Sequence, residues 1–265
     1  MRPRLLLAAL ALALLGALLP GGATAQVARG GDGPRPLPAV DRWDYQIGGV
    51  RGVPDDVHVV VRDREAPPVE RGDVYDVCYV NAFQTQPNEK RFWRQRWGLV
   101  LKKHGRAVVD SGWGEWLLDI RTAEKRRRLA AIVGRWMTGC AEAGYDAVEP
   151  DNLDSFLRSK DLIEPRQTNA FVRLLADRAH EAGLAIAQKN RAGWDGTRFG
   201  LDFAVAEECA EYDECGAYRR YYGPRVLAVE YGAEAFTRAC RQWEGRIALV
   251  RRDYAVSPKG VRRWC

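Results

Sequence analysis

The sequence predicts an α/β protein, a single (β/α)₈ barrel of the TIM type. Three observations predict it. Short apolar or β-branched runs recur along the chain and end in polar residues; helical patterns stand between many of them; and the roughly 240 residues that follow an N-terminal leader are ordinary for one such barrel. A doubly wound open sheet is the second architecture compatible with this alternation.

The elements follow in order. Arg2 and Arg4 precede an apolar run of Leu and Ala over 5–19, and the triplet Ala23-Thr24-Ala25 closes it. This is the pattern of a secretory signal peptide over 1–25, because the apolar run of about 15 residues is short of the roughly 20 that span a bilayer. Residues 26–40, rich in Gly and Pro, read as a disordered lead-in, and 41–265 as the barrel domain. Nine runs qualify as strands: 43–47, 57–61, 76–81, 116–120, 147–151, 185–189, 203–207, 226–230 and 247–251. A barrel has eight places, and 116–120 is the weakest claimant. Between strands, 123–143 sets Leu129, Ile132, Val133, Trp136, Met137 and Cys140 at three- and four-residue intervals before Gly144. Residues 168–182 repeat the pattern with Phe171, Val172, Leu174, Leu175 and Ala179 before Gly183.

Charge and cysteine content narrow the function classes. Loss of a leader carrying Arg2 and Arg4 and no acid takes the formal charge from +6 to +4. The arginines are scattered among acids, and the densest cluster, 125–128, lies on a helix face, so no nucleic-acid partner is expected. No membrane partner is expected after leader removal, and a secreted, extracellular monomer is the simplest state. An even six cysteines favour disulfides in that compartment. Spacing pairs Cys209 with Cys215 and Cys240 with Cys265, leaving Cys78 and Cys140 either bridged or free. With only three His and no C-x-x-C pair, neither metal nor any other cofactor is expected.

Chemistry belongs where barrel strands end. Here 147–151 ends in Glu149-Pro150-Asp151 and is followed by Asn152-Leu153-Asp154; 185–189 ends in Lys189-Asn190; 203–207 ends in Glu207-Glu208; 226–230 ends in Glu230-Tyr231. Each residue also has a structural reading: Asp154 as a helix N-cap, Glu149 as an inward partner of Lys189. Four loaded strand ends together point to an active site, since buried unpaired acids are costly. Paired carboxylates with no nucleophile elbow, Walker or dinucleotide motif fit glycosidic bond cleavage. Trp113, Trp116, Trp194, Tyr212 and Tyr231 stand near strand ends, where aromatic rings stack on sugars. Alternation separates the two adjacent glutamates: with Phe203 and Val205 on the inner face, Glu207 is inward and Glu208 is not.

Segments 43–46, 77–81, 116–121, 144–154, 188–190 and 207–215 carry a family resemblance, above all E-P-D-N-x-D at 149–154 and E-x-C-x-x-x-x-E-C at 207–215. In these the chain resembles glycoside hydrolase family 114, the endo-α-1,4-polygalactosaminidases. The resemblance implies a barrel, hydrolysis of α-1,4-linked galactosamine in an exopolysaccharide, and Asp151 and Glu207 as the catalytic pair. Residues expected to hold the polysaccharide are Gln46, Tyr79, Asp119, Glu149, Asn152, Asp154, Lys189, Asn190, Glu208, Tyr212 and Glu230. A non-catalytic carbohydrate-binding barrel, or a hydrolase of another amino-sugar polymer, is the competing expectation.

Overall fold

Eight parallel strands frame the computed structural model, which describes residues 33–265. The leader expected over 1–25 and the first part of the lead-in, 26–32, lie outside the described residues. The strands are β1 Trp43–Gln46, β2 Val59–Asp63, β3 Tyr75–Asn81, β4 Ala147–Asp151, β5 Ala185–Lys189, β6 Phe203–Glu207, β7 Val226–Glu230 and β8 Ala248–Arg252. Each pairs in parallel with the next in chain order, and Arg262–Arg263 adds an antiparallel pair outside β8. Side chains tie β1 to β8 and β7: the buried Arg252 guanidinium of β8 meets Asp44 Oδ1 at 3.0 Å, and the Trp43 indole N–H donates to Ala228 O of β7 at 3.3 Å. The result is a nearly closed TIM-like barrel.

The candidate strand 116–120 is not a barrel strand. Glu115–Trp116 pairs antiparallel with Val109–Asp110, while Leu117 and Leu118 bridge to Gln84 and Val100. Its leucines are buried with Phe83, Trp93 and Leu99 inside the long excursion between β3 and the next helix. Apolar character there records burial under that excursion, which periodicity alone does not distinguish from burial in a sheet. β2 begins two residues later than 57, because Val57 N–H is taken by a turn bond to Pro54 O.

Among the described residues, four helices of eight residues or more pack outside: α1 Ala123–Ala143, α2 Pro165–Glu181, α3 Cys215–Tyr222 and α4 Ala233–Trp243. Thr122 caps α1 by accepting from Lys125 N–H, and Gly144 ends it at φ 103°. α2 starts earlier than 168 because Pro165 supplies a ready first-turn φ and Glu164 with Gln167 forms a capping box. No helix joins β1 to β2 or β2 to β3, and only a 3₁₀ turn, Gly196–Phe199, follows β5. The first two links hold Gly48, Gly49, Gly52 and Pro54, then Pro67 and Pro68, with no apolar helical stripe to bury.

Two apolar layers result. Rings of Trp43, Tyr45, Tyr75 and Phe203 fill a barrel interior whose inner positions on β4, β5 and β8 include Ala147, Ala185, Ala187 and Ala248. Val148, Ile186, Ala204 and Ala228 face the outer helices. Part of the expected disordered lead-in is packed: Leu37 is buried in the inner cluster, Tyr75 hydroxyl donates to Arg35 O at 2.8 Å, and Arg35 meets Asp146 at 3.3 Å. Burial of Leu37 against the inner cluster gives this segment a place.

Both cysteine pairs expected from spacing are present, and Cys78 bridges Cys140 across 62 residues of chain, tying β3 to α1. Closing that long loop restrains the unfolded chain. Replacing Cys78 and Cys140 together by serine is expected to lower unfolding free energy by about 2–4 kcal/mol in urea melts. An unchanged midpoint would contradict this.

Candidate active site

The carboxyl-end rim is built by strand parity. Glu149 and Asp151 project inward from β4, Lys189 from β5 and Glu207 from β6, with Val205 registered against Lys189 and Asn81 against Asp151. Lys189 Nζ lies 2.9 Å from Glu149 Oε1, 3.2 Å from Asp151 Oδ1 and 3.4 Å from Glu207 Oε2. It also donates to the Tyr45 hydroxyl at 2.9 Å, and that hydroxyl donates to Glu149 Oε1 at 2.9 Å. The side chains of Lys189 and Glu149 are 1% and 0% exposed, whereas Asp151 and Glu207 are 17% and 26% exposed. The first two are thus a sealed floor, and the second two open upward.

Every oxygen of the upper pair is held. Tyr79 hydroxyl donates to Asp151 Oδ2 and Asn152 N–H to Oδ1, both at 2.7 Å. Tyr231 hydroxyl donates to Glu207 Oε1 at 2.5 Å, and Asn190 Nδ2 to Oε2 at 3.0 Å. The residues just past the three strand ends, Asn152, Asn190 and Glu208, have φ of 69°, 53° and 57°. This left-handed conformation turns the chain sharply outward; asparagine adopts it readily, glutamate at a cost. It folds Asn190 back so that its Oδ1 also accepts Glu207 N–H at 2.9 Å.

One ammonium faces three carboxylates. Burial alone would raise the Asp151 carboxyl, but the Lys189 charge, the Tyr79 hydroxyl and the Asn152 amide outweigh it and hold the group below its usual range. In Glu149 burial prevails over Lys189, pushing the carboxyl up to about 7, and its Oε2 has no hydrogen-bond partner. Burial would lower Lys189, yet Asp151, Glu149 and Glu207 together keep it well above the usual lysine range.

A cavity of about 480 Å³ opens over the pair, lined by Tyr79, Asp151, Asn152, Asp154, Asn190, Glu207, Glu208 and Tyr231, with Trp113, Glu115 and Tyr254 added by loops. A second, of about 530 Å³, shares Asp154, Asn190, Glu207 and Glu208 with it and is bounded by Phe156, Leu157, Arg191, Trp194 and Tyr212. The two adjoin at Glu207, and together they are the groove over the rim. The exposed Trp113 and Tyr254 rings stack at 5.6 Å and 9° on its wall.

The expected residues divide accordingly. Asp151, Glu207, Tyr79, Asn152, Asp154, Asn190, Glu208 and Tyr212 line the groove, and Glu149 and Lys189 lie beneath it. Three lie elsewhere. Gln46 is buried, accepting from Arg62 Nε and Arg51 N–H. Asp119 is buried under Arg121 and Lys125 at the start of α1. Glu230 is buried and accepts Ala210 N–H at 2.8 Å, anchoring the Cys209–Cys215 loop. Glu230 and Gln46 fall on the strand face opposite Val229 and Tyr45, which are inside the barrel, so parity excludes them from the rim. Sequence reading did not single out Asp110 and Glu115 on their two-residue ladder, Arg158 in a 3₁₀ turn, or Tyr254 in a loop, none of which stands at the end of a barrel strand. Of the aromatics expected near the rim, Trp116 instead packs on Trp97. Among the described residues the one group with metal-ligand spacing is Cys209, Cys215 and Glu230, and its two sulfurs are joined in a disulfide.

Comparison with known proteins bears on the family and the fold. Residues 23–265 match the sequence profile of Glycoside-hydrolase family GH114. No curated protein matches. Among solved structures, the chain is similar to Aspergillus fumigatus Ega3 in complex with galactosamine: 22% identity, TM-score 0.69, covering 86% of this chain and 96% of that one. It is also similar to the glycoside hydrolase domain of PelA from Pseudomonas aeruginosa: 15% identity, TM-score 0.58, covering 85% of this chain and 98% of that one. At these identities the structural likeness establishes the fold.

The charge balance has a measurable consequence. Asp151, with a depressed folded pKa, contributes stability above its unfolded value of about 3.9 that is lost as pH falls through the folded value. Glu149, raised to about 7, contributes stability present below its unfolded value of about 4.3 and lost as pH rises through the folded one. Lys189→Met strands all three carboxylates, and is expected to cost about 3–5 kcal/mol near pH 8. The deficit should shrink as pH falls to 5 and Glu149 takes up a proton. Thermal melts at both pH values check this; a deficit independent of pH would contradict it.

Proposed function

Because the chain belongs to glycoside hydrolase family GH114, we propose that it is a secreted hydrolase of α-1,4-linked galactosamine polymers, with Asp151 as nucleophile and Glu207 as general acid and base. The observation that carries this reading is the sharing of one buried ammonium by two groove-facing carboxylates. Two oxygens at 3.2 and 3.4 Å from one nitrogen are no further apart than those distances laid end to end. That limit falls at the lower edge of the roughly 6.5–9.5 Å carboxyl separation of inverting enzymes and accommodates the about 5–5.5 Å of retaining ones.

In the first step Asp151, kept ionised by Lys189, Tyr79 and the Asn152 amide, attacks the anomeric carbon. Glu207 gives its proton to the departing glycosidic oxygen, so a glycosyl ester forms as the C–O bond breaks. In the second step Glu207 takes a proton from water, which displaces Asp151 and frees the reducing end. Tyr231 suits this exchange because its hydroxyl can donate to an ionised Oε1 or turn to accept from a protonated one.

Substrate charge and location rest on further support. Asp154, Glu208 and Glu214 stand along a groove whose walls also carry exposed aromatic rings, a pairing suited to cationic sugars. Ega3, similar in fold, was solved with galactosamine. Three disulfides fit an oxidising compartment, and with the expected leader they support secretion.

The test is release of reducing ends from purified α-1,4-polygalactosamine and from its N-acetylated form. Glu207→Gln is expected to lower kcat about 10²–10⁴-fold, and Asp151→Asn at least as much, with both variants folded and able to bind polymer. Binding without cleavage by the parent protein would instead assign a carbohydrate-binding barrel.

A further inference from the structure

Glu115 occupies the same groove but stands outside the Lys189 network. It arrives on the excursion between β3 and α1, held by the two-residue ladder with Asp110. Its residue is 9% exposed, and it lines the cavity beside Tyr79 and Asp151. Oε2 accepts from Asn81 Nδ2 at 2.9 Å. Asn81 is itself fixed, its Oδ1 accepting from Gln84 N–H at 3.1 Å and from Asn152 Nδ2 at 3.0 Å. The Asn152 backbone N–H in turn donates to Asp151 Oδ1, so a short relay of hydrogen bonds sets Glu115 relative to the proposed nucleophile.

What Glu115 lacks is a countercharge: it forms no ion pair among the described residues. The nearby cation, Arg158, is engaged by Asp110 at 2.9 Å and Asp154 at 2.8 Å. Burial, opposed only in part by the Asn81 bond and reinforced by Asp151 and Asp110, pushes the Glu115 carboxyl up to about 7. A carboxylate placed so is costly until a cation reaches it, and Glu115 lines the cavity from which one can arrive.

We infer that Glu115 is the ammonium-binding residue of the groove, taking the protonated amine of a deacetylated hexosamine unit seated beside Asp151. The inference rests on the hydrolase reading above for its choice of ligand. It adds a specificity rule: an N-acetylated unit brings a neutral amide to Glu115, leaves the carboxylate without a countercharge, and is discriminated against at this position.

The test measures both binding and cleavage with α-1,4-galactosamine oligomers, deacetylated and N-acetylated. Titration calorimetry on the parent, Glu115→Gln and Glu115→Asp reads binding independently of turnover. Glu115→Gln keeps the side-chain shape and loses the charge. It is expected to weaken affinity for the deacetylated oligomer about 10–100-fold, to leave affinity for the N-acetylated one nearly unchanged, and to raise KM far more than it lowers kcat. Glu115→Asp should retain part of the preference, because the charge remains. Equal losses on both oligomers, or an unchanged preference in Glu115→Gln, would overturn the assignment. Preferential, Glu115-dependent binding with no cleavage by the parent would support Glu115 and defeat the hydrolase reading instead.

Discussion

The ammonium of Lys189 is the interaction on which the rest of the site depends. A barrel interior is a poor place for charge, and this one holds three acids toward the carboxyl ends of β4 and β6. Lysine at the end of β5 lies between those strands, so one nitrogen reaches all three. Tyr45 below it relays a hydrogen bond to Glu149. The same contact that offsets the burial of the acids also fixes the relative position of Asp151 and Glu207. Stability and the proposed chemistry therefore share one residue, and the charge that tolerates burial also keeps Asp151 ionised.

Around that centre, the parts divide by how firmly they are held. Strand ends carry the carboxylate pair, and the left-handed turns at Asn152, Asn190 and Glu208 carry the chain away at once, leaving the groove open. Loops carry the remaining contacts. The excursion after β3 brings Trp113 and Glu115, and the loop after β8 brings Tyr254 to stack on Trp113. Disulfides secure these additions: Cys78–Cys140 ties β3 to α1, and Cys209–Cys215 closes the loop that follows Glu207. Buried Glu230 holds that loop from below through Ala210 N–H.

Much of this frame was legible in the chain because barrel strands are short, alternate strictly and end in functional residues. The four runs from 147 to 230 appear with the bounds expected of them, and the alternation that favoured Glu207 over Glu208 corresponds to inward Val205 and Phe203. The structural reading of Glu149 as an inward partner of Lys189 is realised as well. The failures have physical causes. Run 116–120 is apolar because it is buried under its own excursion. Gln46 and Glu230 end strands on the wrong face, and Asp119 ends no barrel strand and pairs with local cations. Glu115 and Arg158 reach the groove through loop paths that no periodicity encodes. The missing helices after β1 and β2 follow from glycines and prolines, whose consequence for the expected alternation is visible only beside the complete sheet.

The most direct measurement is the anomeric configuration of the first product, followed by proton NMR during cleavage of α-linked galactosamine oligomers before mutarotation. A carboxylate pair drawn together on one ammonium, with Asp151 as nucleophile, predicts that the α-anomer appears first. Initial release of the β-anomer would show single displacement by water and would contradict the covalent role assigned to Asp151.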